Sequence, residues 1–154
     1  MKFYKDHTGL NIQLEKEAYK KIVFTNGVFD ILHPGHIELF EFAKSKGDIF
    51  IVGINTDQSV KRIKGGNRPI FCLAERIEVL EAIETIDFII SFSEDTPLRL
   101  IQSLYKIDIL IKGEDYSPSE VVGRKEIEAF GGQLILFPFK SKYSTTSIIQ
   151  KISP

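Results

Sequence analysis

Short apolar runs alternate along this chain with longer segments in which apolar residues recur at helical spacing. Five runs are strand candidates, namely KIVFTN (21–26), IFIVGIN (49–55), DFIISF (87–92), DILIKG (108–113) and QLILFPF (133–139). Each run is nearly continuous in apolar residues, which is typical of parallel strands that helices cover on both faces. The alternation predicts an α/β protein with a three-layer Rossmann-like fold, in which a five-stranded parallel sheet lies between helices.

The segments between the runs carry helix signals. After the first run, Pro34 suits a first helical turn, and Ile37, Phe40 and Ala43 recur at helical spacing before a glycine stop. Later helices are predicted within 72–84, 95–105, 123–132 and 144–152. The segment KRIKGGNRP has no periodicity and four cationic residues, so we expect a loop at the carboxyl edge of the sheet, where doubly wound folds bind ligands.

Length and composition limit the possible functions. The 154 residues fit one domain, which we place at 21–154 after an N-terminal extension, 1–20, that lies against the sheet or helps to form a dimer. A net charge of -1 argues against a general nucleic-acid binder. The chain has one cysteine, no signal peptide and no run near the roughly 18 apolar residues of a membrane span, so we expect a cytoplasmic protein without a membrane segment.

The stretch TNGVFDILHPGH, residues 25–36, places two of the three histidines at one predicted turn from strand to helix. The free N–H groups at a helix start, together with the helix dipole, form an anion site. His33 and His36 add hydrogen-bond donors there, and Gly35 has no side chain to hold a phosphate away. A zinc site needs further ligands, and His7 is the only histidine left to supply one, so the pattern favours phosphate binding.

These residues also carry a resemblance. HPGH has the H-x-G-H form of the nucleotidyltransferase superfamily, and STTSIIQKI resembles the second motif of that superfamily, a helix start rich in Ser and Thr. Longer matches, from FTNGVFDILHPGH through SVKRIKGGNRP, ERIEVLEAI and DILIKGEDY to STTSIIQKI, resemble the adenylyltransferase domain of bacterial ADP-heptose synthesis. The resemblance covers about residues 21–152, which is most of the chain.

The resemblance implies a reaction. A sugar 1-phosphate, by this likeness D-glycero-D-manno-heptose 1-phosphate, attacks the α-phosphorus of ATP with Mg²⁺ present, giving ADP-sugar and pyrophosphate without a covalent enzyme intermediate. In agreement, the sequence has no G-x-S-x-G elbow, no Walker A motif and no G-x-G-x-x-G loop. The likeness further implies a role in lipopolysaccharide core synthesis and a homodimer.

Site roles follow from the same resemblance. His33, His36 and Lys61 are the predicted catalytic residues. The predicted nucleotide- and phosphate-binding residues are Gly27, Val28, Phe29, Lys64, Arg68, Arg76, Lys112, Asp115, Ser144, Thr145 and Thr146. Asp30 is either an anchor for the turn, which we favour, or a metal-side acid, and Asp115 is the other candidate for the metal. An exposed helix position without a role at the site is the alternative for Arg76.

Two other functions stay open. A cytidylyltransferase for glycerol 3-phosphate is disfavoured because that branch typically carries an Arg-Thr-x-Gly-Ile-Ser-Thr-Thr signature, whereas SKYSTT has Lys142 but no arginine, and no Ile before the serine. A nucleotide-binding module without turnover is disfavoured because both motifs are intact. Val28 stands where the heptose branch usually has cysteine, at a position expected to contribute backbone. The sequence does not identify the sugar or its anomer, and it contains no sugar kinase domain of the kind that many relatives carry.

Overall fold

A computed structural model gives the fold of the protein and describes residues 1–140 and 143–153. The strands are β1 (Phe3–Tyr4), β2 (Ile22–Gly27), β3 (Ile49–Asn55), β4 (Phe88–Phe92), β5 (Ile109–Gly113) and β6 (Gln133–Phe137). The helices are α1 (His7–Lys16), α2 (Pro34–Lys44), α3 (Asp57–Lys64), α4 (Leu73–Glu81), α5 (Leu98–Ser103), α6 (Arg124–Ala129) and α7 (Thr145–Ile152). A 3-10 turn, Pro118–Glu120, follows β5.

The strands form one six-stranded sheet in the order β1-β4-β3-β2-β5-β6, and all pairs are parallel. The α/β prediction and the five predicted strands are confirmed, but the predicted strand number was one too small. The extra strand is β1, whose two residues pair with Ile89 and Ile90. So short a strand leaves no apolar run that sequence can reveal.

Two apolar layers hold the helices on the sheet. On one face Leu10 and Leu14 of α1 are fully buried beside residues of α5 and α6. On the other face Phe40 of α2 and Leu80 of α4 are fully buried against β3 and β4. Because α1 shares the first layer, the segment that we predicted as an extension is packed into the same core.

Helix α3 differs from expectation, because it includes Lys61 and Lys64 of the segment predicted as a loop. The helix starts at Thr56, whose hydroxyl accepts a hydrogen bond from the amide of Ser59 at 3.5 Å, and Val60 anchors it in the interior. Its other residues are mainly charged, so an apolar period could not mark it. Within the described residues, none of the helices combines the length and apolar composition that crossing a membrane requires.

Candidate active site

The strand order changes direction at β2. From β2 the chain builds the sheet outward to β3 and β4 on one side and later to β5 and β6 on the other. Such a switch point leaves a crevice at the carboxyl edge of the sheet, where ligands of open α/β folds bind. A cavity of about 670 Å³ lies there, within the size range of small-molecule sites, and it is the candidate active site.

Two stacked imidazoles stand at the start of α2, beside this cavity. His33 is the N-cap residue of α2, and its ring lies 3.8 Å from that of His36, with 27° between the ring planes. The backbone N–H of His33 donates a hydrogen bond to Nδ1 of His36 at 3.3 Å. Phe29 holds the outer side of His36 edge-on, with ring centroids 5.4 Å apart. Both histidines line the cavity.

The protonation of the pair follows from these contacts. Burial, with a smaller contribution from the charge of His33, lowers the pKa of His36 to about 4. Burial also lowers the pKa of His33. Both rings are therefore mainly neutral near pH 7. Because Nδ1 of His36 accepts a hydrogen bond, the proton of its neutral ring lies on Nε2, which makes Nε2 a hydrogen-bond donor.

The backbone before α2 forms the floor of the cavity. Phe29 has φ 49°, a left-handed conformation that is unusual for a bulky residue and costs about 1–3 kcal/mol. Its ring is 6% exposed and packs against Phe40 as well as His36, and these contacts stabilise the conformation. A Cβ at Gly27 would lie 3.0 Å from the Phe29 ring, so glycine suits that position.

Asp30 anchors the loop after α3 to the turn before α2. Its carboxylate accepts hydrogen bonds from the amides of Ile70 and Phe71, at 2.8 and 2.9 Å, and pairs with Nε of Arg68 at 2.7 Å. Burial raises the pKa of Asp30, but these hydrogen bonds outweigh burial and hold the pKa below its ordinary value. Since these partners occupy both carboxylate oxygens, Asp30 does not fit a metal ligand and fits the anchor.

Arg76 lies inside the protein, only 1% exposed, and not among the cavity residues. Its Nη1 donates to the carbonyl of Val28 at 2.7 Å, Nη2 to Asp57 at 2.7 Å, and Nε to the carbonyl of Phe71 at 3.1 Å. With these three bonds the guanidinium ties the floor of the cavity to α3 and α4. This position corrects both predictions for Arg76, which were that it binds phosphate and, as the alternative, that it is exposed on a helix.

The carboxyl end of β5 contributes Lys112, Gly113 and Asp115. Burial lowers the pKa of Lys112 to about 8, although the charge of Asp115 acts in the opposite direction. The ammonium donates to the carbonyl of Asn26 at 3.3 Å. A Cβ at Gly113 would collide with the ring of Phe139 and the carboxylate of Asp115, so only glycine lets these groups lie together.

The start of α7 faces the same cavity. Ser144 is its N-cap residue and accepts a hydrogen bond from the amide of Ser147 at 3.0 Å. The hydroxyl of Thr145 donates to the carbonyl of Ile31 at 3.4 Å. No described residue of α7 is buried. Lys142, which precedes this helix, lies outside the described residues.

The structure brings most of the predicted site residues together. The predicted residues that line the cavity are Gly27, Val28, Phe29, His33, His36, Lys64, Arg68, Lys112, Asp115, Ser144, Thr145 and Thr146. Lys61 is exposed on α3, one turn before Lys64, and is not among the cavity residues. The catalytic role of Lys61 thus has no support from its position.

Several polar residues of the cavity were not predicted, namely Asn26, Asn55, Asp95, Thr96 and Glu120. The first two end the strand candidates KIVFTN and IFIVGIN, and the carboxyl ends of parallel strands meet at one edge. That signal was available in the sequence. Asp95, Thr96 and Glu120 lie in segments after β4 and β5, where sequence gives no spatial order.

Comparison with known proteins assigns the chain. The family model described as cytidylyltransferase-like matches residues 24–151. The chain belongs to the cytidylyltransferase-like family. The nucleotidyltransferase class predicted from HPGH and STTSIIQKI is thereby confirmed.

Relatives of this cytidylyltransferase-like chain include the bifunctional protein HldE of Geobacter metallireducens, 50% identical over 92% of the chain, and that of Actinobacillus succinogenes, 49% identical over 92%. In both cases the chain spans 29% of the length of the relative. A crystal structure of the lipopolysaccharide core biosynthesis protein from Thermoplasma volcanium is 29% identical, with a TM-score of 0.64, covering 81% of this chain and 99% of that one.

A more distant structure confirms the fold alone. The crystal structure of pantothenate synthetase from Thermus thermophilus is 16% identical and has a TM-score of 0.68. The match covers 100% of this chain and 68% of the chain of that synthetase. The predicted Rossmann-like class of this cytidylyltransferase-like domain is confirmed by that likeness.

Proposed function

We propose that this chain is an adenylyltransferase that joins ATP to a sugar 1-phosphate, D-glycero-D-manno-heptose 1-phosphate, and releases pyrophosphate. The observation that carries the proposal is the stacked pair of His33 and His36 at the start of α2, facing a cavity that the start of α7 also lines. The identity to HldE proteins and to a lipopolysaccharide core biosynthesis protein favours this sugar class.

The chemistry needs no protein nucleophile. An oxygen of the sugar phosphate attacks the α-phosphorus of ATP, the bond from that phosphorus to the bridging oxygen breaks, and pyrophosphate leaves. Negative charge grows on the leaving group, so fixed donors near it lower the barrier. In our assignment, Nε2–H of His36 and the ring of His33 supply these donors, while the amides at the start of α7 contact the phosphates of bound ATP.

The cationic residues complete this role. Lys64, Arg68 and Lys112 all line the cavity, the last from the end of β5. Arg68 is held by Asp30, so its guanidinium is kept in place before ligand binds. Lys61, which lies outside the cavity, is left out of this assignment.

Mg²⁺ fits the site as a companion of ATP. Among the described residues there is no group of three or more His, Cys, Asp or Glu that could hold a metal ion by themselves. Mg²⁺ commonly takes one or two carboxylates together with substrate phosphates and water, and Asp115 lines the cavity with a carboxylate. Bound there, Mg²⁺ would neutralise phosphate charge.

The proposal extends to the setting of the enzyme. We infer a cytoplasmic enzyme of lipopolysaccharide core synthesis that acts as a homodimer, following the resemblance of the motifs. Light scattering of the purified chain tests the dimer, and a single-chain mass at micromolar concentration would contradict it.

The substrate assignment is tested by pyrophosphate release with Mg²⁺, crossing ATP and CTP against both anomers of the heptose 1-phosphate and against glycerol 3-phosphate. We expect release with ATP and one heptose anomer. Release with CTP and glycerol 3-phosphate would instead establish the cytidylyltransferase alternative. Nucleotide binding without release in any combination would favour the module without turnover.

A further inference from the structure

The polar residues that line the cavity fall into two chemical groups. Donors and cations include His33, His36, Lys64 and Arg68. Acceptors include Asn26, Asn55, Asp95, Thr96 and Glu120, and we call this group the amide side. Lys112 donates to the carbonyl of Asn26 at 3.3 Å, so one cation also lies beside this group. A triphosphate has no hydrogen to donate to amide and carboxylate oxygens, whereas sugar hydroxyls donate to them readily.

Two asparagines form the base of the amide side. Asn26 is the penultimate residue of β2 and Asn55 is the last residue of the neighbouring strand β3. Both follow core residues, Phe24 and Ile51, by an even number of positions. Side chains alternate between the faces of a strand, so both asparagines lie on the sheet face that α1, α5 and α6 cover. Helix α2, with its histidines, covers the opposite face.

Both asparagines have acceptor oxygens without partners. Oδ1 of Asn26 is buried and has no hydrogen-bond partner within residues 1–140 and 143–153. Asn55 is 4% exposed and lines the cavity. Its amide nitrogen donates to Ser59 at 2.9 Å, while its Oδ1 accepts no hydrogen bond from the described part of the chain. A buried acceptor without a donor, such as Oδ1 of Asn26, is unfavourable, and a ligand hydroxyl would satisfy it. The Oδ1 of Asn55 is open to the same kind of donor.

The direction of the reaction agrees with this placement. In phosphoryl and nucleotidyl transfer the attacking and leaving oxygens lie roughly in line across the phosphorus. With the leaving pyrophosphate beside the histidines, the attacking sugar phosphate approaches from the other side of the cavity, where the asparagines are.

We propose that Asn26 and Asn55 bind hydroxyl groups of the acceptor sugar and thereby select a polyhydroxylated sugar phosphate. The inference rests on the proposed function and adds to it the site of the acceptor. It assigns these residues to acceptor recognition and not to ATP, so their loss affects one substrate only.

The test compares Asn26→Ala and Asn55→Ala with Gln102→Ala, which removes an amide exposed on α5 outside the cavity. Steady-state pyrophosphate release gives KM for the heptose 1-phosphate and, separately, KM for ATP. We expect KM for the sugar phosphate to rise about three- to tenfold in each asparagine variant, the loss of one hydrogen bond, with KM for ATP changed less than twofold. The glutamine variant should match the wild type.

The outcomes separate the two claims. Wild type without release from any heptose anomer overturns the proposed function, and the inference falls with it. A second outcome overturns the inference alone. In it the wild type turns over the heptose 1-phosphate, but in the variants KM for the sugar phosphate is unchanged or rises together with KM for ATP. Because Asn55 also holds Ser59, melting temperatures accompany the kinetics. If Asn55→Ala unfolds, the kinetics of Asn26→Ala decide the question, because that substitution removes no side-chain hydrogen bond within the described residues.

Discussion

Two helix starts face the cavity, and they are supported very differently. The start of α2 is fixed from several directions: Phe29 and Phe40 pack around His36, Asp30 holds the neighbouring loop, and Arg76 bonds the carbonyl of Val28. The start of α7 bonds the body of the protein through Thr145 and Ile31, and its helix has no buried residue among those described. One start is built into the core and the other lies on its surface.

The difference teaches how the site divides its work. A fixed helix start can hold donors in place before the ligand arrives, which is what stabilising a transition state requires. A start that lies on the surface can add contacts once the ligand is bound, and these contribute mainly to affinity. We therefore expect changes at α2 to lower kcat and changes at α7 to raise KM.

The largest effect is expected for His36→Ala. Removing Nε2–H of His36 takes away a fixed donor, and losing one such donor lowers kcat by about 10²- to 10³-fold. Pyrophosphate release measures kcat, and His7→Ala, which removes an exposed histidine of α1, is the control and should behave as wild type. A kcat within fivefold of wild type in His36→Ala would show that α2 does not act on the transition state.

The next largest effect is expected for Arg76→Met, which breaks the support beneath the floor. The variant leaves the carbonyl of Val28 and the carboxylate of Asp57 without their donor, and we expect a loss of about 3 kcal/mol in the free energy of unfolding. Urea unfolding measures it. Arg124→Met is the matched control, since it breaks a surface pair with Glu128 and should cost less than about 1 kcal/mol. Equal losses in both variants would refute a fixed floor.

The packing of His36 also predicts a dependence of stability on pH. Since the pKa of His36 falls from 6.5 to about 4 on folding, the unfolded chain binds the proton more readily. The contribution to stability is complete above pH 6.5 and is lost as the pH falls from 6.5 toward 4, by at most about 3 kcal/mol. The free energy of unfolding is measured at pH 7 and pH 4.5 in wild type and in His36→Leu. The other titrating groups are present in both proteins, so the difference between their losses isolates the contribution of His36. A variant that loses as much stability as wild type would argue against a buried, neutral ring.

The smallest effect is expected at α7, for Ser144→Ala. Loss of the N-cap hydroxyl weakens the first turn of α7 by about 1 kcal/mol. Because α7 contributes no buried residue, the melting temperature should stay close to that of wild type, while amide hydrogen exchange in α7 accelerates about fivefold and KM for ATP rises by a similar factor. If kcat falls instead and KM stays constant, α7 acts as α2 does and the contrast between the two starts is lost.

The sequence predicted most of the fold because its strands are long and continuously apolar. The same reasoning reached the histidine turn, since a strand followed by Pro34 and a helical pattern places a helix start at the sheet edge. It missed β1, which is too short to show a pattern, and it took the charged part of α3 for a loop.

Other parts of the site depended on information that local sequence lacks. Arg76 is three residues from Leu73 and four from Leu80, so helical spacing puts it on the buried face of α4, but its charge suggested a surface or ligand role. The placement of Asn26 and Asn55 on the same face of neighbouring strands follows from strand register, in which Asn26 pairs with Gly53, and strand identity alone does not give it. Long-range contacts decide both cases.

The central claim is that an oxygen of the sugar phosphate attacks the α-phosphorus, so that the sugar phosphate keeps all of its oxygens, and isotope transfer tests it most directly. The heptose 1-phosphate carries ¹⁸O in its three non-bridging oxygens, and mass spectrometry follows the label in the products. Our account predicts that all of the label appears in the ADP-sugar and none in pyrophosphate. Labelled inorganic phosphate, or label in pyrophosphate, would mean that bonds other than the one at the α-phosphorus break, and would contradict it.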